Sequence, residues 1–195
     1  MDNYEDIASH FQKTIEVTSM AVDSIAEPIQ SSARLISESL LSGYKIMTCG
    51  FGSDAALAQL FVSQSHSFLK EERPGLPMLA LPINEFEMLT SLSDPSDLFN
   101  PALKSLGQEG DVLFCIDSNL NTPRLTGLIK LAASRKIKVV IFSHALHTIY
   151  RAITTSNDVC ILPKAECRMH LIELTTISIQ IISSIIDDKI FGVSK

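Results

Sequence analysis

A chain of 195 residues that is 46% apolar and 19% charged can bury the core of one ordinary domain, which argues against a disordered chain. A net charge of -6 with no basic run excludes non-specific nucleic-acid binding, because that relies on Lys and Arg to neutralise phosphates. The acidic, polar start MDNYEDIASHF is not the pattern of a secretory signal. The most apolar segment, residues 177–186, is broken by polar residues and falls short of the ~20 apolar residues a bilayer crossing needs, so a soluble, cytoplasmic protein is expected.

Residues 4–25 carry Ile7, Phe11, Ile15, Met20, Val22 and Ile25. Residues 27–42 carry Ile29, Ala33, Ile36 and Leu40, with Pro28 in the first turn and Gly43 as a C-cap. Two amphipathic helices are predicted, whose apolar stripes must be covered by the chain's own sheet or by a partner subunit. The apolar run 46–49 then predicts a strand, and Gly50-Phe51-Gly52-Ser53-Asp54 a tight turn. A helix follows, on which Ala55, Ala56, Leu60 and Phe61 recur at helical spacing. Strand, glycine loop and helix together aim backbone N–H groups at an anion. Gly50 and Gly52 allow the positive φ or close approach such a turn requires, and Ser53 or Asp54 is expected to cap the helix. Taken alone, the same pattern also suits a plain turn.

Further along, 70–78 is a loop, 78–81 a strand, 84–91 a short helix and 93–97 a turn in which Asp94 and Asp97 flank Pro95. Residues 98–106 are helical around Pro101, and 112–116 form another buried strand. The loop 117–124 (Asp-Ser-Asn-Leu-Asn-Thr-Pro-Arg) leads into a helix over 125–136, then a strand at 138–142. A helical turn at 144–153, a strand at 158–162, a loop and a long helix over 168–187 complete the chain. Strands alternating with helices predict a central parallel sheet covered on both faces, with ligands at the carboxyl ends of the strands. The loops 50–54 and 117–124 follow the first and third strands and can share one crevice. Cys49, Cys115, Cys160 and Cys167 lie far apart without a CxxC, which predicts inert free thiols rather than a metal or disulfide framework.

Lys45-IMTCGFG-Ser53, Glu72-RPGL-Pro77, Gly110-DV-Leu113 and Asp117-SNLN-Thr122 follow one another in an order and spacing that resembles the SIS (sugar isomerase) domain family over nearly the whole chain. The subgroup it resembles contains phosphoheptose isomerases and the DnaA initiator-associating protein. The resemblance implies an α/β three-layer sandwich, a single domain over 1–195 with residues 1–43 in assembly, a homotetramer and a cytoplasmic location. Family members place a zinc-binding His and a catalytic Glu on the helix after the glycine loop, at positions that match Leu60 and Gln64. A Gln and a His on the last helix match His170 and Ser178. Leu60 offers no ligand, Gln64 no proton acceptor and Ser178 a poor zinc donor, while aldose–ketose isomerisation needs a general base. His170 and Glu173 remain as a lone pair on one helix face, which more often serves structure.

The family's phosphate loop corresponds to Gly50, Gly52 and Ser53 with Asp117, Asn119, Asn121 and Thr122. There Asp117 is expected to repel a dianion, at about 4 kcal/mol for like charges ~4 Å apart at an effective dielectric of 20. Ile190 and Phe191 match a Leu-Phe pair that contacts DnaA in the initiator-associating protein, and suit an interface anchor or, equally, the chain's own core. His144 and His147 are expected on a surface helix, and Arg124 and Lys130 as solvated charges. Two readings follow. The first is a non-catalytic, homo-oligomeric protein that binds DnaA, without cofactor. The second is a sedoheptulose 7-phosphate isomerase, for which zinc would be implied.

Overall fold

The computed structural model describes residues 3–67, 72–82 and 95–192. The predicted short helix at 84–91 and Asp94 lie outside the described residues. Five strands form one parallel sheet: β1 (Ile46–Gly50), β2 (Met78–Ala80), β3 (Val112–Asp117), β4 (Lys138–Ser143) and β5 (Val159–Ile161), in the order β2-β1-β3-β4-β5. Cys49 stands opposite Cys115, and Asp117 opposite Ser143. The helices are α1 (Tyr4–Leu41), α2 (Ser53–His66), α3 (Asn100–Leu106), α4 (Thr126–Ser134), α5 (Ile149–Ile153) and α6 (Arg168–Phe191), with a 3-10 turn at Pro95–Phe99 before α3.

The period of two along each strand sorts its side chains into two cores. Val112, Phe114 and Ile116 face α1, α2 and α6, where Phe61 meets Phe114 edge-on at 4.9 Å. Leu113 and Cys115 face the other way, onto Leu103, Leu125, Leu128 and Tyr150 of the α3–α5 layer. The expected three-layer sandwich is therefore present.

One expectation fails at the start. The two predicted helices are a single helix, α1, with Pro28 in its interior. An interior proline costs ~3 kcal/mol. Ile25, Ile29, Ala33 and Ile36 lie on one buried stripe across that position, and each buried Ile contributes about 1.5–3 kcal/mol, so the unbroken stripe wins. The N-terminal half of α1 runs on beyond this stripe and leaves Ile7, Phe11 (66% exposed) and Ile15 (69% exposed) open. At the other end, α6 continues through Phe191, further than predicted. An 18-residue window of α6 has a mean hydropathy of 1.5, enough for a membrane helix by composition, yet half of it is buried against the rest of the fold. It is a core helix.

Candidate functional site

The carboxyl ends of β1 and β3 bring together the two loops from which the sequence predicts a crevice. Gly50 ends β1 so close to α2 that a Cβ there would lie 2.7 Å from the Asp54 Cβ, and Gly52 takes φ +61° to turn the chain into α2. The N-cap of α2 is Gly52, with no side-chain cap bond, so neither Ser53 nor Asp54 caps it. Ser53 is the first helical residue and is exposed, while Asp54 turns fully inward.

Asp54 crosses to the β3 loop. Its Oδ2 accepts from the Ser118 N–H at 3.0 Å and its Oδ1 from the Ser118 hydroxyl. Arg124 closes the cluster: its Nη2 donates to Asp54 Oδ2 at 2.8 Å and to Asp117 Oδ1 at 2.8 Å, and its Nε donates to Asp117 Oδ1 at 2.9 Å. Asp117 Oδ2 accepts from the Tyr150 hydroxyl at 2.5 Å and from the Arg124 N–H at 2.9 Å. Both carboxylates are fully buried. The Arg124 guanidinium lies 5.3 Å from the centre of the Phe51 ring, which itself packs on Phe99. Burial, with the neighbouring Asp117 carboxylate second, pushes the Tyr150 phenol far above its ordinary range, so it stays a donor.

This arrangement corrects two expectations. Asp117 does not present its charge to the crevice, because Arg124 and Tyr150 satisfy it beneath the surface. Arg124 is not a solvated charge but the bridge between two buried acids. On the exposed rim, Asn121 and Thr122 face solvent, and the Asn119 amide donates to the Thr122 carbonyl at 3.1 Å.

The sequence reading missed Arg168. As the first residue of α6 it reaches the same crevice, where its Nε donates to the Ser118 hydroxyl at 3.0 Å and its Nη2 to the Ser53 hydroxyl at 2.8 Å. Its nearest carboxylate oxygen, Asp54 Oδ1, is 3.8 Å away, and 46% of the side chain is exposed. A cation at the positive end of a helix is electrostatically misplaced, and that oddity was the signal available in the sequence.

The remaining candidates scatter. Leu60 packs half-buried against the core, and Gln64 is buried with its Oε1 accepting from the Ser183 hydroxyl at 3.1 Å. Ser178 Oγ and His170 Nδ1 are buried and unbonded. Of these four positions only His170 is a competent zinc ligand, and no group of three metal-binding side chains occurs among the described residues. The residues present do not fit zinc. The His170–Glu173 pair does not form either, because Glu173 turns to α1 and accepts from Thr14 at 3.2 Å and pairs with His10 at 3.3 Å.

His144 and His147, expected on the surface, are buried. His144 Nε2 lies 2.9 Å from the Ala165 carbonyl and His147 Nδ1 2.8 Å from the Ser143 hydroxyl. Lys130 is exposed as expected, and Asp97 accepts from the Asn100 amide at 2.7 Å. Ile190 and Phe191 are not an exposed anchor: both are half-buried on the main core, and Arg73, paired with Asp187 at 2.8 Å, lies 5.2 Å over the Phe191 ring.

Comparison with known proteins places this geometry. The SIS domain model matches residues 9–143, more than half of the chain. The phosphoheptose isomerase of Thiobacillus denitrificans is 31% identical over 100% of both chains. That of Alkalilimnicola ehrlichii is 27% identical over 98% of this chain and 99% of its own. Among solved structures, the phosphoheptose isomerase of Francisella tularensis superposes with a TM-score of 0.84 at 22% identity, covering 96% of this chain and 100% of its own. That of Neisseria gonorrhoeae gives a TM-score of 0.79 at 24% identity, covering 94% and 98%. The first reading of the sequence, a non-catalytic DnaA-binding protein, is overturned by these relatives, which are named as isomerases along their full length and favour the second reading. The chain belongs to the SIS domain family.

Proposed function

We propose that the chain is a sugar-phosphate isomerase of the phosphoheptose class, acting on sedoheptulose 7-phosphate in the cytoplasm. The observation that carries this reading is the end-to-end relationship to an isomerase at 31% identity. The crevice at the carboxyl ends of β1 and β3, with Ser53, Thr122 and Arg168 on its rim, supports it as the place for the phosphate. Isomerisation moves a proton between adjacent carbons while the carbonyl and hydroxyl exchange roles, so one group must take the carbon-bound proton and return it. His170, two residues along α6 from Arg168 and buried with an unbonded ring nitrogen, is the group assigned that role, with no metal step.

The test is incubation of sedoheptulose 7-phosphate with the protein in deuterated water, followed by proton NMR at C1 and C2. Deuterium wash-in and appearance of the aldose are expected, unaffected by a chelator and lost in His170→Gln. No exchange at any protein concentration would refute the assignment. The exposed apolar stripe of α1 supports self-association, with a second copy covering Ile7, Phe11 and Ile15.

A further inference from the structure

The geometry points to Arg168 as the residue that recognises the ligand's anionic group, selecting a phosphomonoester over the unphosphorylated sugar. The inference rests on the crevice being the phosphosugar site and deepens that reading.

The charge balance of the crevice singles this side chain out. Asp54 and Asp117 are both buried and both bonded by Arg124, whose guanidinium is itself only 23% exposed. Those three groups are bonded to one another and form the floor, with one negative charge in excess on the side of Arg168. Arg168 is bonded by two neutral hydroxyls, Ser118 at 3.0 Å and Ser53 at 2.8 Å, and its nearest carboxylate oxygen, Asp54 Oδ1, is 3.8 Å away. Two of its five N–H donors are thereby aimed and the rest remain open. Held this way, the planar fork keeps its orientation while its charge has only the longer 3.8 Å ion pair to Asp54, which leaves N–H donors open for two parallel bonds from a phosphate. It stands where the first residues of α2 and α6 meet, so two helix dipoles add to its positive field instead of offsetting it. The two tethering hydroxyls and the exposed side chain of Thr122 supply further donors once Arg168 turns towards an oxyanion. The acids of both loops lie buried beneath this layer, and Arg168 is the cation on its exposed side.

The experiment measures binding apart from turnover. Inorganic phosphate, sedoheptulose 7-phosphate and unphosphorylated sedoheptulose are titrated by calorimetry into wild type, Arg168→Gln, Arg168→Lys and Lys189→Gln. The last variant removes the same charge from the far end of α6. Loss of a charge-assisted bond predicts roughly 10- to 100-fold weaker binding of both phosphate ligands to Arg168→Gln. Partial recovery is expected in Arg168→Lys, and wild-type affinity in Lys189→Gln and for the unphosphorylated sugar. Unchanged phosphate affinity in Arg168→Gln, an equal loss for the unphosphorylated sugar, or a wild type that binds neither phosphate ligand would each overturn the inference. A wild type that binds through Arg168 but exchanges no C1 proton defeats the isomerase reading and leaves this one standing.

Discussion

Replacing Arg124 with Met tests the core of the site description. The substitution keeps much of the side-chain volume and removes the one cation that touches both buried carboxylates, at 2.8 Å each. Asp54 retains two bonds from Ser118 and the Arg168 guanidinium at 3.8 Å, but Asp117 retains the Tyr150 hydroxyl without a paired cation. Removing one partner from a buried ion pair costs about 3–5 kcal/mol, a large part of the ~5–15 kcal/mol by which a domain is stable. For a chain of this size, about 2–4 °C of Tm per kcal/mol translates that into a fall of roughly 6–20 °C. The measurement is urea unfolding followed by circular dichroism at pH 7.5, run alongside Asp117→Asn and the double variant. If the bridge is what holds the two loops, the double variant recovers part of the loss, with a coupling of at least about 1 kcal/mol. An Arg124→Met protein within about 0.5 kcal/mol of wild type, the range of an ordinary surface substitution, would refute the bridge as described.

Two further outcomes follow from buried and exposed groups elsewhere. Burial lowers the His147 pKa, with the Asp117 carboxylate acting against it and the His144 ring adding to it. The unfolded chain therefore binds the proton more readily, so stability is complete above about 6.5 and falls as pH drops below it. A urea midpoint that declines from pH 7.5 to 5.5, with a shallower decline in His147→Gln, is expected; identical slopes would place the dependence in other groups. The apolar stripe of α1 predicts that Phe11→Glu,Ile15→Glu reduces the mass seen by light scattering while the circular dichroism spectrum is kept. A wild-type monomer at tens of micromolar, or an unchanged mass in the variant, would remove self-association from the description.

The fold was legible because it depends on patterns that are local along the chain. The β-branched and apolar runs at 46–49, 112–116 and 138–142 can only be buried strands, and the spacers between them have the length of crossover helices. Pro28 misled because propensity is a local cost, while Ile25, Ile29, Ala33 and Ile36 keep helical spacing across it and are buried together. The site was half legible. Gly50, Gly52, Ser53 and Thr122 mark its walls, but the pairing of Asp54 with Ser118, 64 residues away, and of Arg124 with both acids exists only once β1 and β3 are adjacent. His144 was assigned to the surface for the same reason, since its partner, the Ala165 carbonyl, lies on a distant loop, whereas His147 is held by Ser143 only four residues away.

The charged residues of the crevice decide what kind of protein this is more sharply than its missing zinc donors do. An acid in a phosphate loop is a fatal change only if its charge reaches the ligand, and in water-exposed geometry Asp117 would have done so. Burial changes the sign of the argument. A fully enclosed carboxylate must be neutralised by something close: Arg124 lies between Asp117 and Asp54, Arg168 brings a second positive charge 3.8 Å from Asp54, and the Tyr150 hydroxyl donates to Asp117. What a ligand meets is therefore the layer above, where Arg168 and the Ser53 and Thr122 hydroxyls present donors and one incompletely matched positive charge. An acid on the floor and a base on the rim leave the proposed anion site to be built from different residue types. That is why losing the expected hydroxyl pattern does not by itself separate this chain from its isomerase relatives.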